Sequence, residues 1–408
     1  MNSLLSKKLA VNGGTPVRKK PWSAGPFHFK EESAALQKLL AGPALPLARG
    51  ANIMAYRELL KKMYRVDHVI PTSSGTTAIH VALAAAGVGP GDEVIVSVMT
   101  DYGSVSGILQ LNAIPVFCDV DRGSLLMDHK KVPALITRRT KAIMPVHNGG
   151  YGVDMRAILR IARRRGLKVI EDCAQAHWVR WGKTFLGCFG DFGCFSTNES
   201  KHMKTGEGGF VICRSRPEAL YAELFADKCY PRFPEAPRTP AFPALNVRMS
   251  ELNAVVGIEQ ARKLPGWIRA RHQMGKRLEA LIRQFPLRPH GYPDGMKCSY
   301  WWFSCYLDKR RTDIPVQDFI EALRAEGIWC GNKIQPIVPG WEIFRKLNRN
   351  PNCFRTYRPL NLRKGMYGLD KWPEAAWAFE NIIRIPMNQH TGESELRDLK
   401  RALEKIFA

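Results

Sequence analysis

Cys194-Phe195-Ser196-Thr197-Asn198-Glu199-Ser200-Lys201-His202-Met203-Lys204-Thr205-Gly206-Glu207-Gly208-Gly209 is the stretch on which the reading of this chain turns. The apolar run Phe192 to Phe195 leads into it, and a second run, Phe210 to Cys213, leads out. Two short apolar runs bounded by polar and glycine-rich residues predict strand, loop, strand. Lys201 then sits on the loop between two buried strands. Read alone, it is a surface lysine in a hairpin. Held rigidly, it is an amine that can form a Schiff base with a carbonyl.

Residues upstream bear on that choice. In Val169-Ile170-Glu171-Asp172-Cys173-Ala174-Gln175-Ala176-His177 an apolar run delivers Asp172 at its end. If the strand is parallel, that end is where open α/β sheets place ligands. A carboxylate there can hold the protonated ring nitrogen of a pyridine cofactor; it can equally cap the next element. Further upstream, Ser73-Ser74-Gly75-Thr76-Thr77 opens the helix-forming run Ala78 to Ala86. A helix N-terminus with free N–H groups suits a phosphate, although Ser and Thr are also ordinary caps. Phosphate loop, carboxylate and lysine stand in the order that pyridoxal phosphate chemistry needs on one sheet, with Ser196 as a second phosphate donor.

Outward from these pieces, strands at Val94 to Val98, Ile114 to Cys118, Ala142 to Val146 and Leu167 to Glu171 alternate with helical stretches, among them the basic amphipathic Met155 to Arg165. That alternation predicts βαβ units and a mostly parallel sheet. Beyond Val211 come helices at Glu218 to Phe225, at Ser250 to Arg262 and, past Pro265, at Trp267 to Phe285. A second αβ region follows, with strands at Trp301 to Leu307 and Ile382 to Pro386 and helices at Val316 to Glu326 and Glu393 to Phe407. The aromatic run Tyr300 to Phe303 is expected in the core of that region, and Gly340 to Trp372 as a long ordered loop. The expected division is an N-terminal arm over 1–30, a large domain over 31–270 and a small C-terminal domain over 271–408.

Composition limits the classes. The 408 residues carry a net charge of +24, but the basic residues are spread and the densest runs, Arg163-Arg164-Arg165 and Lys309-Arg310-Arg311, are short. A basic surface that steers anionic substrates fits this better than a nucleic-acid footprint. No run of about 18 apolar residues predicts a membrane span, and no signal peptide is read in Met1 to Lys20. The ten cysteines show no C-x-x-C pair, so reduced core residues are expected, with neither disulfides nor a metal site, in a cytoplasmic protein.

The motifs together resemble the DegT/StrS family of sugar aminotransferases, in the fold-type I pyridoxal phosphate (PLP) class. They are Ser-Gly-Thr-Thr-Ala (74 to 78), Gly-Asp-Glu-Val-Ile-Val (91 to 96), Glu171 to His177, Phe195-Ser196 with Lys201, Gly206 to Gly209, and Asn246 to Leu252. Val11 to Arg18 and Ile385 to Asn388 also look like the family. The resemblance implies an α/β fold: an aspartate aminotransferase-like large domain with a mostly parallel seven-stranded sheet, plus a smaller C-terminal α+β domain. It implies PLP and its pyridoxamine form (PMP) as cofactor. It also implies ping-pong transfer from glutamate or glutamine to a keto group of a sugar, nucleotide sugar or cyclitol, and an obligate homodimer.

Carried over residue by residue, the resemblance makes Lys201 the amine of the internal aldimine and the proton carrier, and pairs Asp172 with the pyridine nitrogen. Gln175 lies by the ring hydroxyl. Ser74, Gly75, Thr76 and Ser196 hold the phosphate, and Asn246 reaches the phosphate of the neighbouring subunit. Lys204 does not fit the imine spacing. Asp101 stands where the family usually has an aromatic stacked on the ring, with Tyr102 beside it pointing elsewhere, and Glu199-Ser200 also depart from the usual pattern. The retained lysine argues against the related dehydratase branch. Candidate substrate residues are His147, Tyr151, His177, Lys228 and Tyr230, with Lys228 as a cation for an acidic donor or a phosphorylated acceptor. Two other readings remain: non-transaminating PLP/PMP chemistry, suggested by Asp101, and a basic regulatory or nucleic-acid-binding protein on the same fold.

Overall fold

Strands that are apolar on both faces need a layer against each, and this chain supplies two. The computed structural model describes residues 8–22, 30–42, 45, 49–232, 239–332, 337–350, 353 and 366–408. Its main sheet contains β1 (His68–Thr72), β2 (Glu93–Ser97), β3 (Ile114–Cys118), β4 (Thr140–Met144), β5 (Lys168–Asp172), β8 (Phe192–Ser196) and β9 (Gly209–Cys213). A ribbon between β5 and β8 holds β6 (Arg180–Trp181) and β7 (Thr184–Phe185). The seven strands run in the order β1-β9-β8-β5-β4-β2-β3. Only β9 opposes its neighbours, so the sheet is mostly parallel, as expected.

The helices interleave with these strands: α1 (Lys30–Leu40), α2 (Ala51–Tyr64), α3 (Gly75–Ala85), α4 (Gly103–Gln110), α5 (Val132–Leu135), α6 (Met155–Arg165) and α7 (Arg216–Ala226). Side chains alternate across the sheet. Ile95, Ile143, Val169, Phe210 and Ile212 enter one apolar core. Val94, Val96, Ala142, Met144, Ile170 and Val211 enter the other.

The sequence predicted two helices divided at Pro265; instead α8 runs unbroken over Glu251–Ile282. A helix-interior proline costs about 3 kcal/mol. Burial of Ala261, Leu264 and Ile268 around it offsets that cost, at about 1.5–3 kcal/mol for each large side chain. The expected boundary at 270/271 therefore falls inside a helix.

The second αβ region has a three-stranded antiparallel sheet of β10 (Leu287–Pro289), β12 (Trp302–Leu307) and β13 (Ile383–Pro386). Strand β11 (Met296–Lys297) instead pairs with β6, tying this region to the large sheet's ribbon. Helices α9 (Val316–Ala325) and α12 (Glu393–Phe407) cover the small sheet, with Phe319 and Phe407 stacked 5.6 Å apart.

The expected long loop contains α10 (Glu342–Arg349), and α11 (Pro373–Asn381) follows it; residues 351–352 and 354–365 of that segment lie outside the described residues. Phe344, Tyr367 and Trp372 pack on Phe117 of edge strand β3. Tyr367 and Trp372 also donate hydrogen bonds to backbone carbonyls of that strand (3.1 and 3.3 Å). Residues assigned to the small domain by sequence thus shield an edge of the large sheet.

The described part of the arm packs on the C-terminal region. Arg18 bridges Glu395 and Asp398 of α12, each at 2.8 Å. Residues 1–7 and 23–29 of the expected arm lie outside the described residues. Among the described residues no helix is long and apolar enough to cross a membrane.

Candidate active site

The carboxyl ends of β1, β2, β4, β5 and β8 converge on one cleft. Its inner part encloses about 560 Å³ and is lined by Ser74, Gly75, Thr76, Asp101, Ser104, Asp172, Gln175, Ser196 and Lys201, among others. Thr100, Asp101, Gln175 and Lys201 also line an outer vestibule of about 720 Å³, together with Asn148, Trp301, Trp302, Asn332 and Arg384.

The inner part begins where β1 turns into α3. Ser74 Oγ accepts from Thr77 N (3.1 Å) and Thr77 Oγ1 accepts from Ser74 N (2.9 Å), a reciprocal cap. The cap leaves the Gly75 and Thr76 N–H groups without an acceptor among the described residues. Gly75 is pressed against Ser196: a Cβ on it would lie 2.5 Å from Ser196 Cβ. Two free N–H groups, a helix dipole and the Ser196 hydroxyl thus face one small concavity, a cradle for a phosphate.

Asp172 ends β5 and is buried. Ser104 Oγ donates to its Oδ2 (2.6 Å) and Ala174 N donates to its Oδ1 (3.0 Å). Burial raises its pKa, against the lowering effect of those two bonds and of Lys201. Among the described residues it forms no ion pair, and a cation entering the cleft would supply one. Gln175 Oε1 accepts from Gly149 N (2.7 Å). A backbone N–H in that place fixes the amide orientation and leaves the Gln175 NH₂ as a donor toward the cavity.

Lys201 is carried on a pinned loop. Thr205 N donates to Thr197 O (2.7 Å), Thr197 N to Gly208 O (2.8 Å), and Asn253 of α8 to Thr205 O (2.7 Å). Gly208 has φ +154°, and a Cβ there would lie 2.4 Å from Thr197 Oγ1, so the close approach requires glycine. The Lys201 Nζ lies 4.3 Å from the Trp301 ring centroid, and Trp301 Nε1 donates to Ser200 O (2.8 Å). Burial holds the lysine pKa below 10.5, while Asp172, Asp101 and Glu199 oppose that shift. An amine eased toward its neutral form is a better nucleophile.

The contribution of Asp101 to this field leads to a test. Replacing it with asparagine removes a negative charge that favours the ammonium, so the Lys201 pKa should fall further. The rate at which cofactor-free protein reacts with PLP rises with pH as the amine deprotonates. For Asp101→Asn that rise should move to lower pH; an unmoved or alkaline-shifted profile would show that the carboxylate does not act on Lys201.

The other candidate residues sit elsewhere. His147 is buried behind the sheet: its Nε2 pairs with Glu171 Oε2 (3.1 Å) and its Nδ1 accepts from Val153 N (3.1 Å). With Cys173 these residues form a cluster of possible metal ligands. Glu171, however, is saturated by the N–H groups of Gly187, Phe189 and Gly190, and it pins the loop before β8. Tyr151 is also buried, stacked 4.2 Å from His290, and its hydroxyl bonds the backbone of Ser304 and Trp302. His177 supports the end of β8 through Nε2 to Ser196 O (2.7 Å), and burial pulls its pKa down to about 4. The expectation that these three line the pocket is corrected: each is buried and hydrogen-bonded inside the protein, with only His177 Nδ1 of their side-chain polar atoms left without a partner among the described residues.

Lys228 is exposed with its Nζ 4.6 Å over the Tyr230 ring. Tyr230 lines a separate arginine-rich pocket with Arg49, Arg57, Arg232 and Arg248. Asn246 is exposed, bridges to Asp227, and does not line the cleft of its own chain.

Four side chains that line the cleft were missed. Tyr300 and Phe303 are buried as expected, but Trp301 and Trp302 face the cleft. Tyr300 has φ 45°, so Trp301 escapes the strand alternation assumed for the run. Ser104 gave no signal beyond its place in the first turn of α4. Arg384 did: it is the one charge in Ile382-Ile383-Arg384-Ile385.

The family model for DegT/DnrJ/EryC1/StrS aminotransferases matches residues 28–350. The chain belongs to that family. It is 35% identical to an L-glutamine:2-deoxy-scyllo-inosose aminotransferase of Streptoalloteichus tenebrarius, over 98% of this chain and 97% of the relative. The aminotransferase TlmJ from Streptoalloteichus hindustanus superposes with a TM-score of 0.76 at 26% identity, covering 92% of this chain and 96% of that one. An aminotransferase from Psychrobacter cryohalolentis shares the fold, with a TM-score of 0.82 at 23% identity, covering 95% and 99%. The enzyme is thus a PLP-dependent aminotransferase of fold-type I. Its cleft fits the cofactor: the phosphate cradle, the buried Asp172, the Gln175 NH₂ and the Lys201 amine offer a partner for each polar group of PLP.

Proposed function

We propose that this enzyme moves the amino group of glutamine to a keto-cyclitol of the 2-deoxy-scyllo-inosose type, acting as a homodimer. The observation that carries this reading is the full-length match to a relative of that name. The vestibule supports it. Trp301 and Trp302 offer aromatic faces to the C–H faces of a polyol ring, and Asn148 and Asn332 offer amides to its hydroxyls. Among the described residues lining the vestibule, Arg384 is the one cation besides Lys201; a nucleotide diphosphate would need more.

The geometry supports the following residue roles. Gly75 N–H, Thr76 N–H and Ser196 hold the phosphate. Asp172, oriented by Ser104 and the Ala174 N–H, keeps the ring nitrogen protonated. Gln175 donates to the ring oxygen. PLP bound here supplies the carbonyl carbon that takes the donor nitrogen and a ring that accepts carbanion charge. Lys201 removes the proton from the donor α-carbon, and in the second half-reaction returns one to the acceptor carbon. Trp301 covers the lysine on its vestibule side. Asn246, exposed on its own chain, is assigned to the phosphate of the neighbouring subunit.

With PLP-loaded enzyme, L-glutamine should bleach the visible band of the lysine-bound cofactor, and 2-deoxy-scyllo-inosose should then restore it. The same preparation should sediment at twice the 46.0 kDa chain mass. A band that glutamine never bleaches would overturn the donor, and one that the cyclitol never restores would overturn the acceptor.

A further inference from the structure

Residues 99–101, between β2 and α4, line the vestibule together with Asn148. Three oxygens there are acceptors without a donor among the described residues. The first is Asp101 Oδ2. Asp101 is exposed and forms no ion pair among the described residues. Its Oδ1 accepts from Gly103 N (2.8 Å), which fixes the carboxylate at the start of α4 and leaves Oδ2 open. The second is Asn148 Oδ1, since the amide's Nδ2 is turned to Met99 O (3.3 Å). The third is Thr100 Oγ1. Ser104 gives its one proton to Asp172 (2.6 Å), so in its 2.5 Å bond with Thr100 it accepts, and the Thr100 proton is spent.

A wall of acceptors selects what it can meet. An ammonium brings three donors and no lone pair, whereas a hydroxyl brings one donor and lone pairs of its own. A carboxylate or phosphate would face only lone pairs and the Asp101 charge. We propose that Asp101, with Thr100 and Asn148, binds a protonated amine on the acceptor, so that the ketone this enzyme favours already carries an amine on its ring. The inference rests on the proposed transfer to a keto-cyclitol and narrows the class of that acceptor. The α-nitrogen of the donor is not the amine in question, because it is the group transferred. A carboxylate holds an ammonium through a charge-assisted hydrogen bond, about twice as strong as a neutral one. This chain places that charge where an aromatic residue is expected from the resemblance, exchanging an apolar contact for an ionic one. The aromatic faces of Trp301 and Trp302 remain for the rest of the ring. Transfer to such a ketone yields a diamine.

A transamination half-reaction runs in both directions, so amines on the product side report on the acceptor site. Three probes are compared on PLP-loaded enzyme by bleaching of the visible band. They are the 2-deoxy-scyllo-inositol ring carrying one amine, the same ring carrying two, and that diamine acetylated on one nitrogen. The diamine should reach half-maximal bleaching at about 30-fold lower concentration than either of the others, the value of one hydrogen bond to a charged group. In Asp101→Asn that advantage should shrink to within about threefold. Any change in Lys201 protonation acts on all three amines and cancels in the ratio. The visible band of the loaded variant, and its bleaching by glutamine, report correct folding. An equal response of the parent to the three probes, an acetylated diamine as good as the diamine, or an advantage retained in Asp101→Asn would overturn the amine assignment and leave the cyclitol acceptor standing. Bleaching by glutamine but by none of the three would overturn the cyclitol acceptor, and this assignment with it.

Discussion

Lys201→Ala is expected to lower turnover at least about 10³-fold, with cofactor still bound through its phosphate. In the proposed mechanism the lysine is both nucleophile and proton carrier, and general acid–base catalysis alone contributes about 10²–10⁴-fold. The loop that holds it is fixed by Thr197, Thr205, Gly208 and Asn253, not by the lysine itself. The variant should therefore keep its fold. Lys201→Arg should be as inactive, because a guanidinium keeps its proton at any working pH. Steady-state rates on PLP-loaded protein check this; an arginine variant with a tenth of the parent activity would refute the amine role.

Asp172→Asn is expected to cost about 10²–10³-fold. The substitution keeps size and shape, and the amide oxygen can still accept from Ser104 or Ala174 N–H. What it removes is the charge proposed to keep the ring nitrogen protonated. Loss of one partner from a buried, hydrogen-bonded charge pair costs about 2–5 kcal/mol, and each 1.36 kcal/mol is tenfold in rate. The defect should fall on proton removal from the donor, visible as slow bleaching at saturating glutamine. If only the glutamine concentration dependence changed, Asp172 would be acting on donor binding and not on the ring.

These two positions were legible because each is set by local pattern. An apolar strand ending in Asp172, and a lysine between two apolar runs, need only the topology of a parallel sheet to bring them together. Helix and strand boundaries came within a few residues for the same reason. What was not legible depends on backbone geometry that no period describes. Trp301 reaches Lys201 only because Tyr300 takes a left-handed conformation. His147 and His177 looked like pocket residues by their nearness in sequence to Asp172. Both ring nitrogens of His147 are taken by Glu171 and Val153, and Nε2 of His177 by Ser196, contacts that depend on the tertiary packing. The continuity of α8 through Pro265 was likewise decided by burial on both sides of the proline.

Borohydride trapping followed by peptide mass spectrometry tests the role of Lys201 most directly. Reduction of the PLP-loaded enzyme should place a single pyridoxyl group on the peptide carrying Lys201 and abolish the visible band. A label on Lys204, on a lysine outside the cleft, or on no lysine would contradict it.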